Sequence, residues 1–306
     1  MKRDDRADAV ESAVAGIIAQ VRRGGDRALV RLARRYDRAR IGPGSIVVKR
    51  KEIAAARRRT GPGFARLVQR VARNIAAYHR RQMPRPEMFR NIHGAQVGWI
   101  YAPVDRVGVY IPAGSAPLVS TGLMTIVPAR VAGVRENGVA TPPRRDGSVD
   151  PHLLAACREL GADLVVRAGG AQAIAALAFG TRSVPRVDLI VGPGNVYVTE
   201  AKRQLYGKVG IDMTAGPSEV AVIADGRADA KFIAADLLSQ AEHDPLSTAV
   251  LLTPSARLAA QVRKQLRVQA RALPRIASLP GGRATGIRIK KCRSIADAVA
   301  RSNLMA

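Results

Sequence analysis

The stretch LVVRAGGAQAIAALAF, residues 164–179, sets the fold class of this chain. It opens with Leu164-Val165-Val166, a short apolar run that is typical of a strand covered on both faces of a parallel sheet. Two glycines follow, and Ala171–Phe179 is an apolar segment of helical length. A strand, a glycine turn and a helix in this order begin a βαβ unit, so the sequence predicts a doubly wound parallel sheet.

The same alternation continues on both sides of this stretch. Asp150 before Pro151 is a typical helix start, because the carboxylate can cap the helix and proline suits its first turn. Further strands are predicted at Val107–Ile111, Val134–Ala140, Val187–Val191, Val220–Ala224 and Ala249–Leu252. Further helices are predicted to end at Ala132 and Leu160, and to span Val196–Tyr206, Asp229–Glu242, Ala256–Leu273 and Ile295–Arg301.

The chain before residue 84 has instead the pattern of amphipathic helices. Gly24-Gly25 is predicted to end a first helix, and Asp26 can cap a second one. Ile46-Val47-Val48 is a short strand candidate. After Gly61-Pro62-Gly63 we expect a long amphipathic helix, which the Pro84-Arg85-Pro86 segment ends.

The composition is that of a globular protein, with 47% hydrophobic and 24% charged residues among 306. Its longest apolar runs are far shorter than the roughly 20 residues that span a bilayer, so we expect no membrane partner. The charged N-terminus has no apolar signal core. Cys157 and Cys292 are too few for a disulfide framework or a thiolate metal site. These features predict a cytoplasmic protein.

The net charge of +26 is the unusual feature, and 41 of the 50 basic residues are arginine. Such a charge is also found in proteins that bind nucleic acids. However, no basic run is longer than Lys49-Arg50-Lys51 or Arg57-Arg58-Arg59, and aromatic residues, which stack on bases, make up only 4%. We therefore favour arginine spread over helix faces and do not expect a nucleic-acid partner.

Three glycine-rich loops each follow a predicted strand and precede a predicted helix. They are Pro112–Ser115, Ala168–Gln172 and Gly192–Asn195. Backbone N–H groups and the positive end of a helix dipole at such a loop can receive a phosphate. None of the three has the spacing of a GxGxxG or P-loop motif, so the loops alone favour tight turns slightly over a nucleotide site.

Polar side chains in the last third of the chain suggest a second site. Gln240 and His243 are three residues apart on a predicted helix, where an imidazole and an amide oxygen on one face can supply two metal ligands. Such a half-site needs further ligands, and a lone histidine is more often simply packed or exposed. Ser218 follows a Gly-Pro turn with no evident base, so we expect it to position a substrate rather than act as a nucleophile.

These segments together resemble the histidinol dehydrogenase family. The strings that carry the resemblance are VGVYIPAGSAP (107–117), GGAQAIAALAFGT (169–181), VGPGNVYVTEAKRQ (191–204), AGPSEV (215–220) and IAADLLSQAEH (233–243). VRRGGDRALVRLARRYD (21–37) and NIAAYHRRQMP (74–84) extend it towards the N-terminus. Nearly the whole chain is covered.

The resemblance implies an activity and a set of site residues. The family oxidises L-histidinol to L-histidine through an aldehyde in two NAD-dependent hydride transfers, using a zinc ion and working as a homodimer. By matching motif, the residues implied to contact NAD are Tyr110, Gln172 and Asn195. The residues implied to bind the substrate are Ser218, Gln240 and His243, of which Gln240 and His243 would also ligate Zn²⁺.

The resemblance also implies a domain organisation. We expect two doubly wound, incomplete Rossmann-like parallel-sheet domains with an N-terminal helical segment. The first would combine residues 1–104 with residues 219–306. The second, residues 105–218, would bind NAD.

The resemblance places no catalytic acid or base within these residues. In the family this work belongs to a Glu-His pair in a motif similar to S-N-x-x-A-P-E-H-L, of which this chain has only the start, at Ser302–Ala306. We therefore expect a histidinol dehydrogenase truncated before its acid/base residues, with little or no activity by itself. The alternatives are a non-catalytic remnant that binds NAD or a partner, and a sister zinc and NAD dehydrogenase for another small amino or hydroxy alcohol.

Overall fold

The structure is a computed structural model that describes residues 3–113, 118–214, 219–243, 247–273 and 286–305. The chain divides into two compact units, Met1–Ala215 and Gly216–Ala306. Both units contain a parallel sheet covered by helices, which confirms the predicted α/β class. Among the described residues, no helix is both long and apolar enough to cross a membrane.

The first unit begins with helices and continues with alternating strands and helices. Its helices are α1 (Arg3–Leu32), α2 (Arg50–Arg81), α3 (Val119–Val131), α4 (Pro151–Leu160), α5 (Gly170–Phe179) and α6 (Val196–Leu205). A π-helical turn, Ala33–Asp37, and a 3-10 turn, Pro43–Ser45, connect α1 to α2. Its strands are β1 (Glu87–Arg90), β2 (Gln96–Trp99), β3 (Arg106–Tyr110), β4 (Glu136–Thr141), β5 (Leu164–Arg167), β6 (Leu189–Val191) and β7 (Gly210–Ile211).

The main sheet of this unit has five parallel strands in the order β5-β4-β3-β6-β7. Chain order runs outward from β3 to β5 on one side and from β6 to β7 on the other. The strand order therefore reverses between β3 and β6. In open α/β sheets, ligands bind beyond the carboxyl ends of the strands at such a reversal.

Helix α5 shows why the stretch at residues 164–179 lacks a polar face. Every residue from Ala171 to Ala178 is buried. The helix lies in the same core as the sheet residues Val166 and Ile190 and as Val14 of α1. A helix covered on both sides is apolar all round, as this one is apart from Gln172.

The N-terminal helices form an outer layer on the five-stranded sheet. Helix α1 packs against α5 and α6, and α2 packs against α3 and α4 on the opposite face. Residues 3–81 thus cover the apolar outer surfaces of the helices that flank this sheet. The predicted grouping of residues 1–104 with residues 219–306 in one domain stays a prediction.

Three local features differ from the sequence-based expectation. The antiparallel pair β1-β2 was not predicted, because its side chains are largely exposed and lack an apolar alternation. The strand expected at Ile46–Val48 is wrong, since this segment makes a single antiparallel bridge from Val47 to Val166. The Asp26 carboxylate, expected to cap a helix, accepts hydrogen bonds from the N–H and hydroxyl of Ser183. The predicted end of the first helix at Gly24-Gly25 is confirmed, because Gly25 has a non-helical conformation, with φ +48° and ψ −131°, that separates two helical segments within α1.

The second unit contains strands β8 (Glu219–Ile223), β9 (Thr248–Thr253) and β10 (Ile287–Lys291) and helices α7 (Ala230–His243), α8 (Ala256–Ala270) and α9 (Ile295–Asn303). Its described strands form a parallel sheet in the order β10-β9-β8. Helices α7 and α8 share a core with Leu251 on one face. The opposite face, with Val250 and Leu252, packs with Ala298 of α9. Strand β10 was not predicted, because isoleucine alternates there with basic residues over only five positions.

Candidate functional site

The carboxyl edge of the five-stranded sheet brings two of the predicted glycine loops to Tyr110, the last residue of β3. The Tyr110 Oη accepts a hydrogen bond, at 3.0 Å, from the N–H of Gly170, the first residue of α5 after the loop that follows β5. Gly192 begins the loop after β6 and has a φ of +112°. A Cβ at Gly192 would overlap the Tyr110 carbonyl oxygen. Glycine is therefore required there both by backbone conformation and by space.

Gln172 lies in the first turn of α5 and forms the second part of this edge. Its side chain is buried, and its Nε2 donates to Oδ2 of Asp37 over 3.4 Å. Asp37 lies in the π-helical turn after α1, far away in sequence. Burial raises the pKa of Asp37 to about 6, although the hydrogen bonds from Gln172 and from the backbone of Gly169 act to lower it.

Tyr110 belongs to the same buried group. Its residue surface is only 3% exposed, and burial raises the pKa of its phenol to about 12. The Gly170 N–H opposes that rise, and the nearby Asp37 adds to it. Tyr110 is therefore a neutral phenol at physiological pH. Tyr110, Gln172 and Asp37 form a polar cluster on the core side of the glycine loops.

Asn195 is the exposed member of the three positions matched to NAD contacts. Its Oδ1 accepts hydrogen bonds from the N–H groups of Tyr197 and Val198, at 3.1 and 3.2 Å, so it caps α6. A ligand contact by Asn195 would use its amide NH₂ group.

Lys202 and Asp212 are two site residues that sequence patterns did not indicate. Lys202 lies on α6 and Asp212 directly follows β7, and their side chains form an ion pair beside Gly192. Asp37 was likewise missed. Asp37 contacts a residue far away in the sequence, so its partner becomes visible only when the two segments pack together. Lys202 and Asp212 are 10 residues apart, and this spacing does not by itself indicate that they pair.

The predicted substrate and metal residues belong to the second unit. Gln240 and His243 both lie on α7, as the spacing predicted, and Gln240 is partly buried. Ser218 and the side chain of His243 lie outside the described residues, as do Gly114 and Ser115 of the first glycine loop.

The zinc prediction has limited support from the described side chains. Among them, no group of three or more His, Cys, Asp or Glu could hold a metal ion. Gln240 alone contributes one amide oxygen, and zinc sites in proteins use three or four ligands. The described donors therefore do not fit a complete zinc site.

A dinucleotide fits the first unit better. The edge at the strand-order reversal carries the phenol of Tyr110 and the amide of Asn195, on either side of the close contact between Gly192 and Tyr110. Tyr110 and Gln172 are both buried, so they act from beneath the loops, whereas Asn195 faces outward. This arrangement suits a ligand that lies over the loops.

Comparisons with known proteins agree with these motifs. The sequence model of the family described as Histidinol dehydrogenase matches residues 1–306. A histidinol dehydrogenase of Moorella thermoacetica is 50% identical over 268 residues, and one of Bradyrhizobium diazoefficiens is 43% identical over 305 residues. The crystal structure of histidinol dehydrogenase from Elizabethkingia anophelis matches with a TM-score of 0.89 at 37% identity.

The matches cover this chain more fully than they cover the relatives. The match with the Moorella thermoacetica protein covers 88% of this chain and 63% of the relative. For the Bradyrhizobium diazoefficiens protein the shares are 100% and 70%, and for the Elizabethkingia anophelis structure they are 97% and 68%. On the family match over every residue, the level of identity and the shared fold, this chain belongs to the histidinol dehydrogenase family.

Proposed function

We propose that the protein oxidises L-histidinol to L-histidine through the aldehyde, with two molecules of NAD, as a step of histidine biosynthesis. The observation that supports this is the carboxyl edge of the first sheet. There Tyr110 and Gln172 share a hydrogen-bonded cluster with Gly170 and Asp37, and Asn195 caps the neighbouring helix. These are the positions matched by motif to the family's NAD contacts.

The role of this edge would be to bind and orient the cofactor. When bound, NAD would accept a hydride from the carbinol carbon, first of the alcohol and then of the hydrated aldehyde. Asn195 would donate its amide NH₂ to the dinucleotide. Tyr110 and Gln172 would hold the loops at residues 169–170 and 192–195 in place, and Asp37 would orient Gln172. Such prior positioning lowers the entropic part of the barrier.

The substrate end of the proposal belongs to the second unit. Ser218, Gln240 and His243 would bind L-histidinol, and Gln240 and His243 would be two of the ligands of Zn²⁺. We further propose a homodimer working in the cytoplasm. The support for these parts is the family membership.

The cofactor part is tested with Asn195→Asp. Aspartate caps a helix as well as asparagine does, so the helix is kept, but the NH₂ donor is lost and a negative charge faces the dinucleotide phosphates. We expect NAD binding, measured by calorimetry, to weaken at least about tenfold with little change in the thermal midpoint. Asn74→Asp on the exposed face of α2 is the matched control for the added charge. Absence of NAD binding by the unchanged chain at roughly 1 mM would overturn the proposal.

The substrate part is tested by following NADH formation with L-histidinol, NAD and zinc. We expect NADH formation to depend on both L-histidinol and added zinc. L-Histidinol should also raise the thermal midpoint where L-leucinol, which lacks the imidazole, does not. Equal effects of the two amino alcohols would favour a sister dehydrogenase with another substrate.

A further inference from the structure

Lys202 and Asp212 form an ion pair behind the glycine loop that follows β6. The Lys202 side chain is 3% exposed, and that of Asp212 is 29% exposed. A buried ammonium loses its hydration and is stable only when its charge and its N–H donors are matched. The groups that bind the Lys202 ammonium therefore indicate the role of this side chain.

Both members of the pair bind the backbone of one residue, Gly192. The Lys202 Nζ donates to the Gly192 carbonyl oxygen at 3.0 Å. The Gly192 N–H in turn donates to Oδ2 of Asp212 at 2.8 Å. The peptide groups on both sides of a glycine with a positive φ are thus held by opposite charges.

Lys202 lies on α6, the helix that follows the Gly192–Asn195 loop, and its side chain reaches the first residue of that loop. Its side chain points back toward the start of the helix, the direction that helical side chains take. Asn195 caps that same helix. Apolar residues such as Val198 and Leu205 already bury the helix against the core, so packing alone does not require a charge at position 202.

We propose that Lys202 and Asp212 are positioning residues, a charged latch that holds the Gly192–Asn195 loop in the conformation that receives the dinucleotide. The effect on binding rests on the NAD site proposed above. The latch itself is a property of the loop and exists with or without the cofactor. Because both backbone groups of Gly192 are engaged, the loop presents Asn195, not Gly192, to the ligand.

The loop is tested first, without any ligand, by hydrogen–deuterium exchange of the full chain. Lys202→Met keeps the length of the side chain and removes its charge. We expect exchange in the peptide around Gly192 to rise at least about tenfold, while the peptide of α4 in the same unit is unchanged. Lys208→Met, at an exposed lysine of the same unit, should change neither peptide. Unchanged exchange at Gly192 in Lys202→Met would overturn the latch.

The second test separates positioning from mere stability by measuring the NAD dissociation constant and the thermal midpoint for each variant. Lys202→Met should bind NAD at least about tenfold more weakly and melt earlier, because Asp212 is left without its partner. The double variant Lys202→Met/Asp212→Asn removes both charges. It should recover most of the thermal midpoint yet still bind NAD weakly, because the bond to the Gly192 carbonyl is still missing.

These outcomes distinguish the latch from the function on which it rests. If NAD affinity falls and recovers together with the thermal midpoint in all variants, the ion pair has only a structural role, and the proposal is overturned. If the unchanged chain binds no NAD, the proposed cofactor site fails, and the exchange experiment alone decides whether the latch exists.

Discussion

At the residue scale, Asp37 connects the stability of the fold to pH. Burial raises the pKa of its carboxyl to about 6, above its ordinary value of 3.8. The folded chain therefore holds this proton more tightly than the unfolded chain does. As pH rises from about 4 to about 6, the unfolded state ionises first and stability falls, and above that range the cost of the buried charge stays constant.

Asp37→Asn should remove this dependence. We expect the variant to be more stable than the original chain at about pH 7.5 by on the order of 1 kcal/mol, a discounted value because the group is only partly buried. At about pH 4.5 the difference should shrink, because the original carboxyl is then largely protonated when folded. Urea unfolding at both pH values measures it, with the exposed Asp105→Asn as control. An equal difference at both pH values would contradict the raised pKa.

Cys157 gives a second prediction for a single residue. It lies on the buried face of α4, and burial raises the pKa of its thiol to about 12. Cys292 is buried as well. Burial keeps a reagent away from both thiols, and the raised pKa also keeps Cys157 from forming the reactive thiolate, so neither should react with an aromatic disulfide reagent in the folded chain. Both should react at once in strong denaturant. Rapid reaction of folded Cys292→Ser, in which Cys157 is the remaining thiol, would show that the core opens there.

At the element scale, Arg167 ties the N-terminal segment to the end of β5. Its guanidinium is 4% exposed and pairs with Glu52 of α2. It also donates to the carbonyl oxygens of Gly147 and Ser45, at 2.7 and 2.9 Å. One planar group thus joins α2, the 3-10 turn and the loop before α4 at the strand end that leads into the glycine loop.

Arg167→Lys keeps the charge but not the fork of donors, so it should destabilise the first unit. We expect a loss of about 1–3 kcal/mol in the free energy of unfolding, because at least one buried carbonyl is left unpaired. Arg158→Lys, at an exposed position of α4, should cost less than about 0.5 kcal/mol. The two variants are compared by urea unfolding. Similar small losses in both would mean that water replaces the missing donors.

The elements also show which parts of the structure a sequence can predict. Buried parallel strands such as β5 and β9 are continuous apolar runs between turns, so their positions were predicted to within a residue or two. The Asp150 cap was also predicted, since it depends on residues next to it, and its carboxylate accepts from the N–H groups of His152 and Leu153. The exposed hairpin β1-β2 lacks such a pattern.

The same distinction between local and long-range features applies to the candidate site. The glycine loops and the helical spacing of Gln240 and His243 are local and can be predicted from the sequence. Contacts such as Gln172 with Asp37 join residues far apart in the chain, and only packing reveals them. The family resemblance supplied the positions Tyr110, Gln172 and Asn195. It did not supply the reason that two of them are buried.

At the scale of the whole molecule, the charge of +26 is the dominant property. Several described ion pairs are partly or largely exposed, such as those of Arg106 with Glu136 and of Arg135 with Asp105, and they leave this net charge unchanged because it already counts every carboxylate. Solvent-exposed pairs contribute little to stability. The excess of arginine instead produces a positive surface potential, which attracts any polyanion at low ionic strength.

We therefore predict salt-sensitive binding of nucleic acid without sequence preference. In about 50 mM salt the chain should bind random duplex DNA, and raising salt to about 200 mM should weaken binding by roughly 10³-fold or more if six or more phosphates are contacted. Two unrelated duplexes of equal length should differ by less than about threefold, because discrimination needs base contacts that a diffuse charge does not provide. Fluorescence anisotropy at several salt concentrations measures both quantities. A preference above about tenfold at physiological salt would restore nucleic-acid recognition as a function of this chain.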